Sequence, residues 1–193
     1  NSYGRSGSTM LTKSIISSLI STDNNLFNKI LARSIKQQAW DLNSTKISPG
    51  FIYKTHDYPP KKQNGNNCYV IYIFADPVNV ILSLIRIFEK SEDDEWMREH
   101  FAHLKSSYVE DFYSIIDYDT LNLENHFDSW LAETTLPVAF VRYEKLWENQ
   151  NNLSQFLDIP LKLPPYKPRK AQQSPNPDII ERLEKTYSNL RTK

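Results

Sequence analysis

The run Val70-Ile71-Tyr72-Ile73-Phe74-Ala75-Asp76-Pro77 limits what this chain can fold into more than any other stretch. Its first five residues are all apolar or aromatic, and three are β-branched. A strand with no polar side must be covered on both faces, as in parallel sheets flanked by helices. Asp76 then offers a side-chain oxygen to cap a helix. Pro77 suits the first helical turn, where its missing N–H is not needed. Val78 to about Phe88 is apolar nearly all round and predicts a central helix.

The same alternation recurs along the chain. Met10, Leu11, Ile15, Ile16, Leu19 and Ile20 fall at helical spacing, and Ser21 to Asn25 ends that helix. A second amphipathic stretch runs from Leu26 to Trp40. Phe51 to Lys54 reads as a short strand that delivers Thr55 and His56 to its C-terminal end, followed by a polar loop from His56 to Asn67. Ser91 to Asp94 caps a more polar helix that runs through Tyr113. Leu123 to Ala132 is helical, Val138 to Arg142 is a strand, and Glu144 to Leu157 is a helix. A Pro- and Lys-rich segment, Pro160 to Pro177, precedes a last helix through Leu190. Strands alternating with helices predict an α/β fold with a parallel sheet. No internal repeat or dividing linker breaks it, and 193 residues suit one domain.

The opening Gly4-Arg5-Ser6-Gly7-Ser8-Thr9-Met10-Leu11 carries the most chemistry. A glycine-containing turn with one cation and two hydroxyls runs straight into a helix. Unpaired N–H groups at a helix start, reinforced by its dipole, favour an anion. The G-x-x-x-x-G-K-[ST] pattern of ATPases is absent. In parallel α/β sheets, ligands bind beyond the carboxyl ends of the strands. The loop, Lys54-Thr55-His56, and Asp76 with its helix are all expected there. None of the three alone defines a site.

In their order and spacing, these segments resemble the sulfotransferases that use 3′-phosphoadenosine 5′-phosphosulfate, over almost the whole chain. The opening loop resembles the family's phosphosulfate loop, and Lys54-Thr55-His56 matches the Lys-Thr-His of its cytosolic branch. Ile71 to Ser83 is similar to the strand-Arg-Asp-Pro-helix segment that holds the 3′-phosphate. Glu124 to Leu131 resembles the helix before the next core strand, and Val141-Arg142-Tyr143-Glu144-Lys145-Leu146 the strand ending in Tyr-Glu. The resemblance implies a three-layer P-loop NTPase-like α/β fold with a central parallel sheet flanked by helices, as a single domain over 1–193. The loop lies almost at the start, so the first strand is expected to be largely cut off before Asn1.

The resemblance also implies roles. Arg5, Ser6, Gly7, Ser8 and Thr9 hold the phosphosulfate, with Met10 where the cytosolic branch stacks an aromatic on the adenine. Lys54 supplies charge to the transferring group, and His56, with a near-neutral pKa, is the general base. Ser83 binds the 3′-phosphate, Tyr143 contacts the adenine, and Arg169 and Lys170 help hold the 3′-phosphate. The reaction is an in-line displacement at sulfur, in which charge builds on the oxygen bridging to the leaving phosphate. Fixed donors aimed at that oxygen are worth most. The acceptor is a hydroxyl, or less readily an amine, of a small molecule or glycan, and no metal is needed.

Ala75 departs from the pattern, because the family carries an arginine there that pairs with the 3′-phosphate. Arg86, one turn beyond Ser83, or Arg169 and Lys170 could stand in. The departure leaves open a nucleotide-binding relative that does no chemistry. A P-loop phosphotransferase is the remaining alternative, and the missing Walker lysine counts against it.

Charge and cysteine content narrow the rest. Lysine plus arginine equals aspartate plus glutamate at 23 each, so no nucleic-acid partner or polybasic membrane surface is expected. One cysteine, Cys68, excludes an internal disulfide and fits a reducing, cytoplasmic setting. Trp40, Trp96, Trp130 and Trp147 read as core or semi-core. The Ser91 to Glu99 acidic run reads as a solvated helix start. Lys61-Lys62 reads as loop solvation, or as part of a gate over the acceptor.

Overall fold

The computed structural model describes residues 1–20, 26–61, 68–91, 94–107, 110–133, 135–167 and 176–193. Helices and strands are mixed along the chain, and the strands form two small parallel sheets. Strand β1 (Lys36–Gln38) pairs with β2 (Ile52–Lys54), and β3 (Val70–Phe74) with β4 (Val138–Arg142). The longer pair runs in register from Val70 opposite Val138 to Phe74 opposite Arg142.

Strand β3 divides the core because its side chains alternate between faces. Ile71 and Ile73 enter one cluster with Leu11, Val141, Leu146, Leu153 and Leu161. Tyr72 and Phe74 enter a larger one with Val80, Ile81, Leu84, Phe127, Trp130 and Leu183. The first cluster brings in helices α1 (Ser8–Leu19) and α6 (Gln150–Leu157). The second brings in α3 (Pro77–Ser91), α5 (Leu123–Leu131) and α7 (Pro177–Thr186). The β3–β4 pair is therefore covered on both faces, as its apolar sequence requires.

Local chemistry sets the helix ends. The Val78 N–H donates to Asp76 Oδ1 across 3.0 Å, so Asp76 caps α3, and Pro77 takes its first position. Asn176 caps α7 in the same way, accepting from the Asp178 N–H at 3.0 Å, with Pro177 next. Helix α1 is rich in serine and threonine, which compete for backbone partners. Thr12, Ser14 and Ser18 resolve this by donating to the carbonyls of Ser8, Met10 and Ser14 one turn back.

Four boundaries differ from the periodicity. Helix α2 (Leu26–Ile35) stops five residues short of Trp40, because Lys36–Gln38 pairs with β2 instead. The three residues are polar, so only the neighbouring strand selects the extended form. Helix α4 (Asp94–His103) ends well before Tyr113. There Lys105 takes φ 53° and the Ser106 N–H folds back to the Phe101 carbonyl. Tyr143–Lys145 is a 3-10 turn, and α6 begins only at Gln150. The last helical stretch breaks at Tyr187 into α7 and the short α8 (Ser188–Thr192).

The first residue also pairs. The Asn1 amine donates to the Ile71 carbonyl at 2.7 Å, and the Ile73 N–H donates to the Asn1 carbonyl at 2.9 Å. These two bonds are those of a parallel bridge opposite Tyr72. On its other side, Asn1 Nδ2 donates to the Asp57 carbonyl at 2.9 Å, just beyond β2. Among the described residues, no helix is long and apolar enough to cross a membrane.

Candidate functional site

The opening loop turns through three left-handed residues, Gly4 (φ 87°), Arg5 (φ 47°) and Gly7 (φ 84°). Glycine is required at both ends of that turn. A Cβ on Gly4 would lie 2.4 Å from His100 Cε1, and one on Gly7 would lie 2.4 Å from Tyr143 Cδ2. Two rings thus clamp the loop onto the fold. Gly7 caps α1 without a side-chain bond, so the cap itself leaves the first N–H groups of the helix free of a side-chain acceptor. Ser6 is fully buried and donates to the Gly4 carbonyl at 2.8 Å. It braces the loop and is not part of the cleft wall.

A cleft of about 1060 Å³ opens beside this loop. Arg5, Gly7, Ser8, Thr9, Met10, Lys54, His56, Ser83 and Tyr143 all line it. Residues from four separate parts of the chain therefore meet, as the strand-end argument requires. Arg169 and Lys170 lie outside the described residues. Among the described residues the cleft wall also holds Lys13, Arg86 and Lys162, making five cations, against the single carboxylate of Glu99. Burial lowers the Lys54 pKa, and Lys36 and Arg5 lower it further. Cations crowded like this gain from an anion placed between them.

His56 is 9% exposed, and its Nδ1 lies 2.7 Å from the Ser2 carbonyl and 3.1 Å from Ser2 Oγ. A carbonyl can only accept, so Nδ1 carries the proton, and Nε2 of the neutral ring is the acceptor. Burial pushes its pKa down to about 3, with Lys54 and His100 adding to the effect. The expectation of a near-neutral value is corrected here: burial, with Lys54 beside it, keeps the ring neutral.

A buried network fixes the backbone that carries this ring. His126 Nε2 donates to the carbonyls of His56 (3.0 Å) and Asp57 (3.1 Å), while its Nδ1 accepts from the Tyr72 hydroxyl at 2.8 Å. Trp130 Nε1 donates to the Asp57 carbonyl at 2.9 Å. The Asp57 carboxylate is 1% exposed and meets Lys105 Nζ at 2.7 Å. It also accepts from the N–H groups of Leu42 (2.7 Å) and Tyr58 (2.8 Å).

Ser83 Oγ accepts from Arg5 Nε at 3.1 Å, which joins the loop to α3. Ala75 is 1% exposed and belongs to the core. Its N–H donates to the Tyr3 hydroxyl at 3.0 Å, and that hydroxyl donates back to the Ala75 carbonyl. The cations nearest Ser83 in sequence or contact are thus Arg5 and Arg86.

Sequence reasoning missed the wall formed by α4. Trp96, Glu99, His100 and His103 recur at helical spacing and all line the cleft. The Trp96 ring stacks on His100, and Trp40 stacks on His103 with centroids 3.9 Å apart. Trp40 is 52% exposed and is not a core residue, because its partner is a cleft histidine. Trp130 is in the core as expected. The Trp-x-x-Glu-His-x-x-His spacing was visible, but nothing in it said which way the helix faces.

Among the described residues, no cluster of three or more His, Cys, Asp or Glu side chains could hold a metal ion. Comparison with protein-family models, curated proteins and solved structures finds no match.

Proposed function

We propose that this chain is a sulfotransferase that moves a sulfuryl group from 3′-phosphoadenosine 5′-phosphosulfate to a hydroxyl of a small molecule or glycan. The observation that carries the reading is the neutral His56, its Nδ1 committed to the Ser2 carbonyl, sharing one cleft with Arg5, Lys54 and the uncapped start of α1. A base and an anion cradle on one cleft are what an in-line displacement between a hydroxyl and a phosphosulfate needs.

The donor fits the residues present. The N–H groups at the start of α1, with Ser8 and Thr9, suit the phosphosulfate. Arg5 offers a planar fork to the oxygen on which charge accumulates. Lys54 suits the oxygens of the transferring group. Met10 and Tyr143 both line the cleft and suit an adenine, and Ser83 with Arg5 and Arg86 suits the 3′-phosphate. In the reaction, the acceptor oxygen bonds to sulfur as the bond from sulfur to the bridging oxygen breaks. The acceptor proton passes to His56 Nε2, and the bridging electrons stay with the phosphate. A bound anionic donor would also raise the His56 pKa toward a value useful for a base.

The parallel bridge of Asn1 with Tyr72, and its bond to Asp57, support reading the two small sheets as one central sheet of P-loop-like type. Helices on both faces of β3 support its three layers.

Calorimetry without metal, comparing 3′-phosphoadenosine 5′-phosphate with adenosine 5′-monophosphate, tests the reading. Micromolar binding that requires the 3′-phosphate is expected. Equal binding of both, or of neither, overturns it. Ala75 favours a second reading, a relative that binds the nucleotide without transfer. Tight binding with no sulfuryl transfer to any hydroxyl acceptor would select it.

A further inference from the structure

Trp40 lines the cleft and is 52% exposed, although its indole is one of the largest apolar groups there. His103 covers one face of the ring, at an interplanar angle of 11°. More than half of the side chain remains open. Indole surface left in water costs free energy, which an apolar face laid against it would recover. Ligand clefts use such surfaces to hold the apolar part of what they bind.

The place of Trp40 in the fold says what that occupant is. The Ala39 N–H donates to the Lys54 carbonyl at 3.1 Å, continuing the pairing of Gln38 with Lys54. Trp40 therefore follows the carboxyl end of β1, beside the Lys54-Thr55-His56 segment that ends β2. Burial lowers the His103 pKa, Glu99 opposes the shift and Lys54 adds to it, so both charges lie near the stack. Tyr143, by contrast, lies over Gly7 and edge-on to Trp147, whose Nε1 donates to the Pro164 carbonyl at 2.7 Å. The end of the cleft suited to the adenine and the end that holds Trp40 are thus built from different elements. The Trp40 end, next to the base, has no role in holding the donor.

We infer that Trp40 is the platform for the acceptor, and that the acceptor is a ring compound whose flat apolar face stacks on the open side of the indole, with its hydroxyl toward His56. This rests on the sulfuryl-transfer reading, and the transfer step is the one given above. A flat ring covers the indole and has few torsions to freeze on binding. An open-chain alcohol covers less of it and loses more freedom. His103 supports the indole from behind, and the Ala39–Lys54 bond fixes the backbone that carries it. Phenols and pyranosides both present such a face, and the experiment separates them.

The test measures sulfuryl transfer from the phosphosulfate donor to phenol, methyl glucopyranoside and hexanol, by the unaltered protein, Trp40→Ala and Trp40→Phe. Calorimetry with 3′-phosphoadenosine 5′-phosphate accompanies each variant. The unaltered protein is expected to show a lower KM for phenol or for the pyranoside than for hexanol, and the one it prefers names the source. W40A should raise that KM about tenfold, more than it lowers kcat. W40F should restore most of the loss, since it keeps a flat ring, and nucleotide binding should be the same in all three proteins. An equal or lower KM for hexanol overturns the inference and leaves the proposed function standing. So does an unchanged KM in W40A, or an equal rise for ring and open-chain acceptors, which marks Trp40 as a prop for His103. Nucleotide binding without transfer to any acceptor overturns the inference and selects the relative that does no chemistry. Failure of the unaltered protein to bind the nucleotide overturns both.

Discussion

Arg5 Nε donates to Ser83 Oγ across 3.1 Å, joining a left-handed loop residue to a helix 78 positions later. The bond couples the two places where the proposed donor carries its phosphates. Arg5→Ala removes a charged donor, so binding of 3′-phosphoadenosine 5′-phosphate should weaken about 10–100-fold. Ser83→Ala removes a neutral partner and should cost only about 2–10-fold. Calorimetry on both variants checks the order. Equal losses would show that Arg5 contributes no charge to the site.

Gly7 offers a sharper structural test. Its φ of 84° and the Tyr143 ring 2.4 Å from a prospective Cβ both oppose a side chain. Gly7→Ala should cost about 1–3 kcal/mol in stability and should weaken nucleotide binding. Adding Tyr143→Ala removes the clash and leaves the backbone strain, so it should restore stability only in part. Thermal melts of the single and double variants separate the two contributions.

Three buried histidines tie stability to pH. Burial lowers His56 to about 3, and His100 and His126 each to about 4, from an ordinary 6.5. Between those values and 6.5 the unfolded chain binds more protons than the folded one, so stability is complete above about pH 6.5 and falls below it. Each histidine contributes a slope of up to about 1.4 kcal/mol per pH unit. Acid unfolding is therefore expected near pH 5, set against a typical reserve of about 5–15 kcal/mol. A melting temperature that stays flat from pH 7 to pH 4.5 would show that these rings are not buried neutral.

Asp57 anchors the segment that carries His56. Its carboxylate accepts from two N–H groups and from Lys105, whose side chain is 47% exposed. Solvent screens that ion pair, so the backbone bonds dominate. Asp57→Ala should lower stability by about 1–3 kcal/mol and, under the proposed function, reduce sulfuryl transfer more than nucleotide affinity. Asp57→Asn should retain most of the stability. Chemical denaturation and nucleotide titration on the two variants distinguish these effects.

Ala75→Arg would restore the residue that the sulfotransferase resemblance implies. The side chain of Ala75 is enclosed by the core and its backbone is held by Tyr3. Overpacking there should cost about 1–3 kcal/mol, with no gain in affinity for 3′-phosphoadenosine 5′-phosphate. Tighter binding in calorimetry would instead show that the cavity opens to admit an arginine.

The sequence by itself determined the elements that follow local rules. Five apolar residues in a row made β3, Asp76 and Pro77 started α3, and glycines at 4 and 7 made the loop turn. Each signal acts over a few bonds, so it survives in any tertiary setting. That the strand-end and helix-start residues would line one cleft was legible for the same reason. Other features belonged to the tertiary structure. Lys36–Gln38 became a strand because β2 lay beside it. Trp40 left the core because it stacks on His103 at the cleft. Burial first, and then the charges of Lys54 and Arg5, set the protonation of His56 and His100. Desolvation and Coulomb energy depend on what surrounds a group in space, and residues far apart in the chain supply those surroundings.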